Sequence, residues 1–242
     1  MTKATPTSQS AVAAMFGRIA SGYDAANSIL SFGIDRLWRR RLVRGVEAAF
    51  LPGSRRRILD LAAGTYDVSL ALVRTIPGAT VLAADFCLPM LQAGRGKLAA
   101  AGAYAQCRIA PLAGDGLCLP LEDGCVDAVT VSFGLRNMRP REQALAEAYR
   151  VLVPGGFFHV LEFGSAKERI WGGLYNLYLT KILPFVGGLV TGDKEAYEYL
   201  ARTVTDFPEA SLLTCELYHA GFSEVVAHKL WGGIVYLHVG KK

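Results

Sequence analysis

The sequence lacks several features that mark whole classes of protein. Charged residues make up only 19% of its 242 positions, which argues against intrinsic disorder. The five cysteines include no CxxC pair, so a disulfide framework and a zinc site are disfavoured, and small buried side chains in a reducing cytoplasm are expected. The first ten residues are polar and lack the apolar core of a signal peptide. The four histidines show no metal-ligand spacing, so no metal is expected.

An uninterrupted hydrophobic run is also missing, although 52% of the residues are hydrophobic. The most apolar stretch runs from Ile170 to Thr191, with Lys181 near its middle, Pro184 after it and four glycines within it. A central lysine is costly in a bilayer. The stretch therefore predicts a lid or a helix seated on a surface, and not a membrane span.

The net charge of +5 is unevenly distributed. Five arginines lie between Arg36 and Arg44, and three more are consecutive at residues 55–57. Such a cluster is either a solvated helix face or a surface attracted to anionic lipid. No nucleic-acid-binding motif accompanies it, so we expect no nucleic-acid partner and, of the charged partners, favour peripheral contact with the inner face of a membrane.

The order of elements divides the chain into residues 1–50, a helical cap, and residues 51–242, an α/β domain. Apolar runs typical of buried strands alternate with helical patterns. The expected strands are Arg57–Ala62, Thr80–Ala84, Cys107–Leu112, Val126–Ser132, Phe157–Phe163, Val225–Trp231 and Ile234–Val239. The expected helices between them are Val68–Thr75, Pro89–Ala101, Arg141–Leu152 and Ala210–Ala220, with an apolar helical insertion at about 166–206.

Continuous apolar strands separated by helices predict a mostly parallel sheet covered on both faces. The last two strands are joined by Gly232-Gly233, a signal for an antiparallel hairpin. A parallel sheet that ends in such a hairpin matches the seven-stranded Rossmann-like fold of class I methyltransferases.

Three strand ends carry residues suited to a ligand, which in open α/β sheets binds beyond the carboxyl ends of the strands. The first strand enters a small-residue turn at Gly64, ahead of a helix whose N-terminus can bind a carboxylate. Asp85 follows 21 residues later and could accept hydrogen bonds from ribose hydroxyls, although a helix N-cap is the alternative. Gly114-Asp115-Gly116 could bind an adenine amino group or be an ordinary turn.

The chain resembles the UbiE/MenG family of ubiquinone and menaquinone C-methyltransferases over nearly its whole length, from about Val12 to Lys241. The resemblance rests on Phe16–Ala20 with Tyr23, Asp24 and Asn27, on Ser31–Trp38, on the SFGLRN stretch Ser132–Asn137, on Tyr149–Leu152 with Pro154-Gly155-Gly156, and on Leu161-Glu162-Phe163. It implies that S-adenosyl-L-methionine is the cofactor and that a prenylated hydroquinone is methylated on a ring carbon. It places Gly64, Thr65, Asp85, Asp115, Gly116, Ser132 and Asp24 at the cofactor, and Tyr23, Arg136 and Asn137 at methyl transfer.

Each of these three residues has a chemical role to offer. Arg136 would stabilise the phenolate of the acceptor ring, Asn137 would orient it or a water, and Tyr23 would shape the pocket or relay a proton. The alternatives are a structural ion pair for Arg136, an N-cap for Asn137 and core packing for Tyr23. His159 is expected to be a core histidine and Glu162 a buried, paired carboxylate.

One departure from the family pattern lies in the cofactor turn, which reads Gly64-Thr65-Tyr66-Asp67 where the family has glycine in the third place. A tyrosine there either points away or enters the pocket for the methionine arm. The second case would leave a methyltransferase fold that has lost or changed methyl transfer, or a scaffold in a quinone-synthesis complex. The sequence leaves open benzoquinol against naphthoquinol, and monomer against homodimer. The 166–206 insertion would suit an isoprenoid tail, or simply cover the sheet.

Overall fold

The computed structural model describes residues 9–50, 56–164, 173 and 177–242. Its helices are α1 Gln9–Ile19, α2 Tyr23–Leu30, α3 Asp35–Ala48, α4 Asp67–Thr75, α5 Leu88–Ala93, α6 Arg95–Ala100, α7 Ala103–Gln106, α8 Arg141–Val151, α9 Leu183–Thr191, α10 Lys194–Thr205 and α11 Ala210–His219. Its strands are β1 Arg56–Leu61, β2 Ala79–Asp85, β3 Ile109–Ala113, β4 Val126–Ser132, β5 Leu152–Phe163, β6 Ser223–Leu230 and β7 Val235–Lys241. Short 3-10 turns are Leu135–Asn137 and Trp231–Gly233, and a π-helical turn is Tyr178–Ile182.

The seven strands form one sheet in the order β3-β2-β1-β4-β5-β7-β6. The first five are parallel, and β7 runs antiparallel to both β5 and β6. The central strands are buried on both faces, as expected for a parallel sheet between two helical layers. The predicted fold class, with its C-terminal hairpin, is therefore confirmed.

Two hydrophobic clusters fill the space on either side of the sheet. One packs α3 and α4 against the strands through Leu42, Val46 and Leu72, and the other packs α8 and α11 through Leu145 and Leu213. A third cluster joins α1 and α2 to α9 and α10, away from the sheet. The N-terminal helices thus cover the carboxyl ends of β1 and β4, where parallel sheets bind ligands.

Two predicted boundaries are wrong. The single helix over Pro89–Ala101 is divided into α5 and α6 around Gly94, where an added Cβ would lie 2.6 Å from a ring carbon of Tyr66. Strand β5 begins at Leu152, before the Pro154-Gly155-Gly156 turn that was expected to precede it. There it still pairs with Val126, across an irregularity in the register with β4.

The apolar stretch Ile170–Thr191 lies partly outside the described residues. Its described part is the π-helical turn and α9, with Lys181 exposed between apolar neighbours. Within the residues that the structure describes, no helix is long and apolar enough to cross a membrane. Part of the 166–206 insertion also falls outside them, and its proposed role is taken up below.

Candidate active site

The loop after β1 is held in an unusual backbone conformation. Ala62 has φ of 59° and Tyr66 φ of 70°, both in the left-handed region that non-glycine residues rarely adopt, and Gly64 between them has φ of 56°. Across the site, Phe133 after β4 has φ of 57°. Non-glycine residues in this region cost free energy and cluster at functional sites, so the two loops are candidates for ligand contact.

The side chain of Tyr66 points away from the loop's ligand side. Its ring is only 1% exposed, and its hydroxyl donates to the Leu91 carbonyl oxygen at 2.9 Å. The ring occupies space that a side chain at Gly94 would otherwise fill. Tyr66 lines neither of the cavities described below, so the departure from the family's glycine leaves the pocket open.

Asp85, at the end of β2, fixes the two neighbouring loops. Its carboxylate accepts the Gly64 N–H and the Cys87 N–H, each at 2.8 Å. Burial raises the pKa of this carboxyl. The N-cap alternative is wrong, because the N-cap of α5 is Cys87 and no side chain caps this helix. Each Asp85 oxygen keeps a free lone pair for a hydroxyl donor.

A network of charges ties the N-terminal helices to the same loop. The Thr65 hydroxyl donates to Asp24 at 2.6 Å, and the Lys97 ammonium lies 2.7 Å from Asp24 and 2.5 Å from Asp67. Lys97 also donates to the Thr65 hydroxyl at 2.8 Å. Arg39 extends the network from Asp67 to Asp35 on α3. Thr65 and Asp24, predicted from widely separated motifs, are therefore in direct contact.

A small cavity of about 110 Å³ lies beyond the ends of β1, β2 and β4, and polar side chains project from its mostly apolar lining. It brings together five predicted cofactor residues, namely Gly64, Asp85, Asp115, Gly116 and Ser132, with the predicted catalytic residues Tyr23 and Asn137. Asp115 accepts the Leu117 N–H at 2.9 Å, which is the turn role foreseen for it, and it still lines the cavity. Gly116 is tightly packed there, because an added Cβ would lie 3.2 Å from the Met138 sulfur and would displace that side chain.

A larger, mostly apolar cavity of about 290 Å³ lies beside the first. Its walls come from α1, α2, α3, α9, α10 and the loops after β4 and β5. Four residues line both cavities: Phe16, Tyr23, Ser132 and Phe133. The two cavities therefore share a wall, to which the N-terminal helices contribute two of these residues and the end of β4 with its following loop the other two.

Arg136 lines the larger cavity as a member of a buried ion pair. Its guanidinium lies 2.9 Å from the Glu162 carboxylate, and the two side chains are 4% and 1% exposed. The same group donates to the Phe133 carbonyl oxygen and lies 5.5 Å from the Phe163 ring centre. The structural ion pair foreseen as the alternative is therefore present, and Glu162 is the paired carboxylate expected. Arg136 therefore both lines the cavity and forms the buried ion pair.

Asn137 makes no N-cap. Its side-chain oxygen accepts the Tyr199 hydroxyl at 3.2 Å, which links the SFGLRN loop to α10. Burial raises the pKa of the Tyr199 phenol, so it remains a donor. Sequence reasoning missed Tyr199, because it belongs to the 166–206 region, where no motif was assigned.

The sequence relates this site to known proteins. The model of the ubiE/COQ5 methyltransferase family matches residues 2–242. The chain belongs to this family. Among its curated relatives, the demethylmenaquinone methyltransferase of Thermus thermophilus is 45% identical, over 94% of this chain and 100% of its own length. The ubiquinone/menaquinone biosynthesis C-methyltransferase UbiE of Stutzerimonas stutzeri is 39% identical, over 99% and 93%.

Solved structures agree on the fold. A SAM-dependent methyltransferase from Thermotoga maritima has a TM-score of 0.65 and 20% identity, over 95% of this chain and 98% of that one. Another from Aquifex aeolicus has a TM-score of 0.58 and 15% identity, over 83% and 88%. At such identities the likeness concerns the fold alone. The family membership makes this chain a methyltransferase that uses S-adenosyl-L-methionine.

The residues present fit that cofactor. Glycines let the backbone approach at two loops, Asp85 offers carboxylate lone pairs, and the N-terminus of α4 follows the Gly64 turn directly. Lys97, which the sequence analysis did not single out, adds a cation beside Thr65 and Asp24. Among the described residues no group of histidines, cysteines and carboxylates could hold a metal ion.

The expectation of buried cysteines is wrong for Cys107, Cys118 and Cys215, which are exposed, while Cys87 is buried beside the small cavity. All five are free. The exposed ones lie on short surface elements, where a small side chain carries no burial requirement. His159 is buried as expected, with its ring packed against Gly45, but neither ring nitrogen has a hydrogen-bond partner among the described residues, so the expectation of a satisfied core histidine is wrong.

Two buried groups under the site have opposite pH effects on stability. Burial raises the pKa of Asp60 to about 6, and burial lowers the pKa of His159 to about 4. As the pH falls from 6 to 4, the folded protein gains a proton on Asp60 and the unfolded chain gains one on the histidine. Asp60 therefore increases stability over this window and His159 decreases it, each by about 1.4 kcal/mol per pH unit.

We therefore expect the Asp60→Asn variant to lose stability steeply between pH 6 and 4, while the parent protein changes little. Asn keeps the size of the side chain. Its oxygen can accept from one of the Ser69 and Thr130 hydroxyls that now donate to Asp60, and its NH₂ can donate to the other. Urea unfolding at several pH values measures the slope. The burial of His238, whose pKa is also lowered, adds to the loss. Parallel pH profiles for the two proteins would contradict the assignment.

Proposed function

We propose that this methyltransferase transfers a methyl group to a ring carbon of a prenylated hydroquinone of the menaquinone or ubiquinone pathway. The observation that carries the proposal is the wall shared by two cavities, of which the smaller is lined by Asp85, Asp115 and Asn137 among apolar residues and the larger mainly by apolar and aromatic side chains. A charged cofactor suits the first and an aromatic ring with an isoprenoid tail suits the second. Bound in the small cavity, the cofactor supplies a methyl group made electrophilic by its sulfonium.

The chain's residues have defined tasks in this scheme. Tyr23, Ser132 and Phe133 hold the two reactants at the wall, which supplies proximity. Arg136 stabilises negative charge on the ring oxygen once its proton has left, which makes the adjacent carbon nucleophilic. Asn137, held by Tyr199, orients the ring or a water. A C–C bond forms and the S–CH₃ bond breaks. The sulfur keeps the electron pair, and the ring carbon loses its proton to solvent.

Thr65, Asp24 and Asp85 are assigned to the cofactor. Asp85 would accept ribose hydroxyls, and Asp24 with Lys97 would pair with the amino and carboxylate groups of the methionine arm. Asp115 would take the adenine amino group beside Gly116. In this structure Asp24 and Lys97 pair with each other. The methionine arm also carries one positive and one negative group, so on binding it would pair with Asp24 and Lys97 in place of their mutual ion pair.

Incubation with methyl-labelled S-adenosyl-L-methionine tests the proposal. Reduced prenylated benzoquinone and naphthoquinone are supplied in separate reactions, followed by mass analysis of the extracted lipid. A gain of one labelled methyl on either ring is expected. Absence of label on both rings, with calorimetric binding of the cofactor intact, would reject the substrate class. Absence of binding would favour the reading in which methyl transfer has been lost.

The tail of such a substrate lies in a bilayer, and one surface of the protein suits contact with it. The apolar surface consists of exposed side chains near α2 and α9: Ile29, Phe32, Leu177, Ile182, Phe185 and Leu189. The two elements are neighbours, because the Tyr178 hydroxyl donates to the Leu30 carbonyl oxygen and Gly22 packs against Thr191. Phe32 is 81% exposed and also lines the larger cavity, so that cavity opens at this surface.

Cations border the apolar surface. Lys181 lies within it, and the exposed Arg36 and Arg40 follow Phe32 on α3. Apolar side chains flanked by cations are typical of proteins that bind anionic bilayers from one side. We therefore assign the occupant of this surface as an anionic lipid bilayer, with the protein on its cytoplasmic face.

Replacing Phe185 and Leu189 together by glutamate is expected to weaken vesicle binding more than tenfold, because burial of each side chain stabilises the bound state by about 2 kcal/mol. Sedimentation with phosphatidylglycerol vesicles measures this. Leu212→Glu with Tyr218→Glu is the matched control, since both residues are similarly exposed on α11. Equal binding by the two double variants would refute the assignment of this surface.

A further inference from the structure

Several buried hydrogen-bond donors without partners lie at the larger cavity. The indole nitrogen of Trp38, the Nε of Arg136 and the hydroxyls of Ser132 and Tyr197 are buried and have no partner among the described residues. All four side chains line this cavity. Leaving such a donor unpaired costs about 1–3 kcal/mol, so four of them around one otherwise apolar space indicate a ligand that carries oxygen atoms.

The positions of the donors differ along the cavity. Ser132 belongs to the wall shared with the cofactor cavity, whereas Trp38, on α3, lines the larger cavity alone. Trp38 is 6% exposed and packs against the Phe133 and Phe163 rings, at 6.0 and 6.3 Å between ring centres. Arg136 lies on the same Phe163 ring, at 5.5 Å. The aromatic rings thus form a slot with Arg136 and Trp38 both bordering Phe163.

We infer that Trp38 is the residue that recognises the second oxygen of the acceptor ring. This inference rests on the proposed function, in which the ring has two oxygens at opposite positions. Arg136 and Ser132 then face the oxygen next to the carbon that is methylated, and the Trp38 indole N–H donates to the oxygen across the ring. The donors are buried in this structure, so side chains around the slot move when the ligand enters.

This assignment sets the specificity of the site. A buried donor that only a ligand oxygen can satisfy discriminates against ligands that lack this oxygen. Trp38 is therefore a specificity residue for rings with two opposed oxygens, and phenols with a single oxygen are poor acceptors. Its bond does not act on the reacting atoms, so the expected effect is on KM more than on kcat.

The test pairs one variant with two acceptors. Trp38→Phe keeps a flat ring in the slot and removes the N–H. One acceptor is the reduced prenylated naphthoquinone, and the other is its analogue without the oxygen opposite the reactive phenol. In the variant, kcat/KM for the two-oxygen acceptor is expected to fall about tenfold, and kcat/KM for the analogue to stay unchanged. Comparing each acceptor between variant and parent cancels the intrinsic difference in ring reactivity.

Thermal unfolding provides a readout that does not depend on turnover. The melting temperature of the variant without ligand serves as the baseline, because the smaller ring removes buried volume together with the unpaired donor. The rise in melting temperature caused by the two-oxygen acceptor is expected to be smaller in the variant.

An equal loss of kcat/KM on both acceptors, or an equal ligand-induced rise in melting temperature in variant and parent, would show that Trp38 only packs the slot and would overturn the inference. Unchanged kinetics on both acceptors would overturn it as well. A parent protein that methylates neither acceptor would instead overturn the proposed function, which separates the two failures.

Discussion

Alanine at position 136 is expected to lower kcat by at least two to three orders of magnitude and to destabilise the fold by about 3–5 kcal/mol. The first effect follows because the guanidinium of Arg136 lines the apolar cavity on the loop that follows Ser132 and Phe133 of the shared wall. The second follows because Glu162, 1% exposed, would keep a buried carboxylate without its partner. Single-turnover rates and urea unfolding measure the two effects separately.

A double variant separates the roles of Arg136. Replacing Arg136 by methionine and Glu162 by leucine removes both charges, and a buried ion pair replaced by apolar side chains of similar volume often costs little stability. The double variant is expected to recover most of the lost stability and none of the lost turnover. Recovery of turnover together with stability would mean that Arg136 is structural, and the phenolate would need another stabilising group.

Alanine at Asp85 is expected to weaken binding of S-adenosyl-L-methionine at least a hundredfold. The carboxylate holds the Gly64 and Cys87 N–H groups at 2.8 Å, so its loss disorders two cofactor loops and also removes the acceptor for the ribose. Calorimetric titration with S-adenosyl-L-methionine and S-adenosylhomocysteine measures the change, and both ligands should be affected alike because they share the ribose.

Asp127→Ala is the matched control for this variant. Asp127 is also a strand residue whose carboxylate accepts a backbone N–H, that of Arg57 at 2.8 Å, but it lies at the opposite end of the sheet from the cofactor cavity. Cofactor affinity in this control should stay within a factor of about two. An Asp85→Ala protein that binds the cofactor as well as the control does would refute the assigned role.

The sheet was predictable from the sequence because its strands are short apolar runs, and burial on both faces leaves no other reading of them. The meeting of Gly64, Asp85 and Asp115 was predictable because strand ends in a parallel sheet converge, and these residues do line one cavity. The resemblance supplied Thr65 and Asp24 from distant motifs, and the structure brings them into contact.

Other features of the site could not be predicted, because they depend on contacts between residues that are distant in the sequence. The charges of Lys97 and Arg39 look like ordinary helix-surface cations until α3 and α6 are placed beside the same loop. Tyr199 reaches Asn137 across 62 residues, and Trp38 resembles any core aromatic until its N–H is found without a partner. Where the ring of Tyr66 points was likewise undecidable, because either orientation is compatible with the turn.

The ring of Tyr66 packs against Gly94, which lies 28 positions further along the sequence. The ring at 66 occupies the space left by the missing side chain at 94, and an alanine at 94 would meet it at 2.6 Å. Position 94 therefore stays glycine while the ring stands at 66, and the Thr65 Cα, 2.8 Å from the same added Cβ, restricts it further. A sequence comparison that judges this chain by its Gly64–Asp67 turn alone would classify it as inactive. A comparison that also considers Gly94 would retain it.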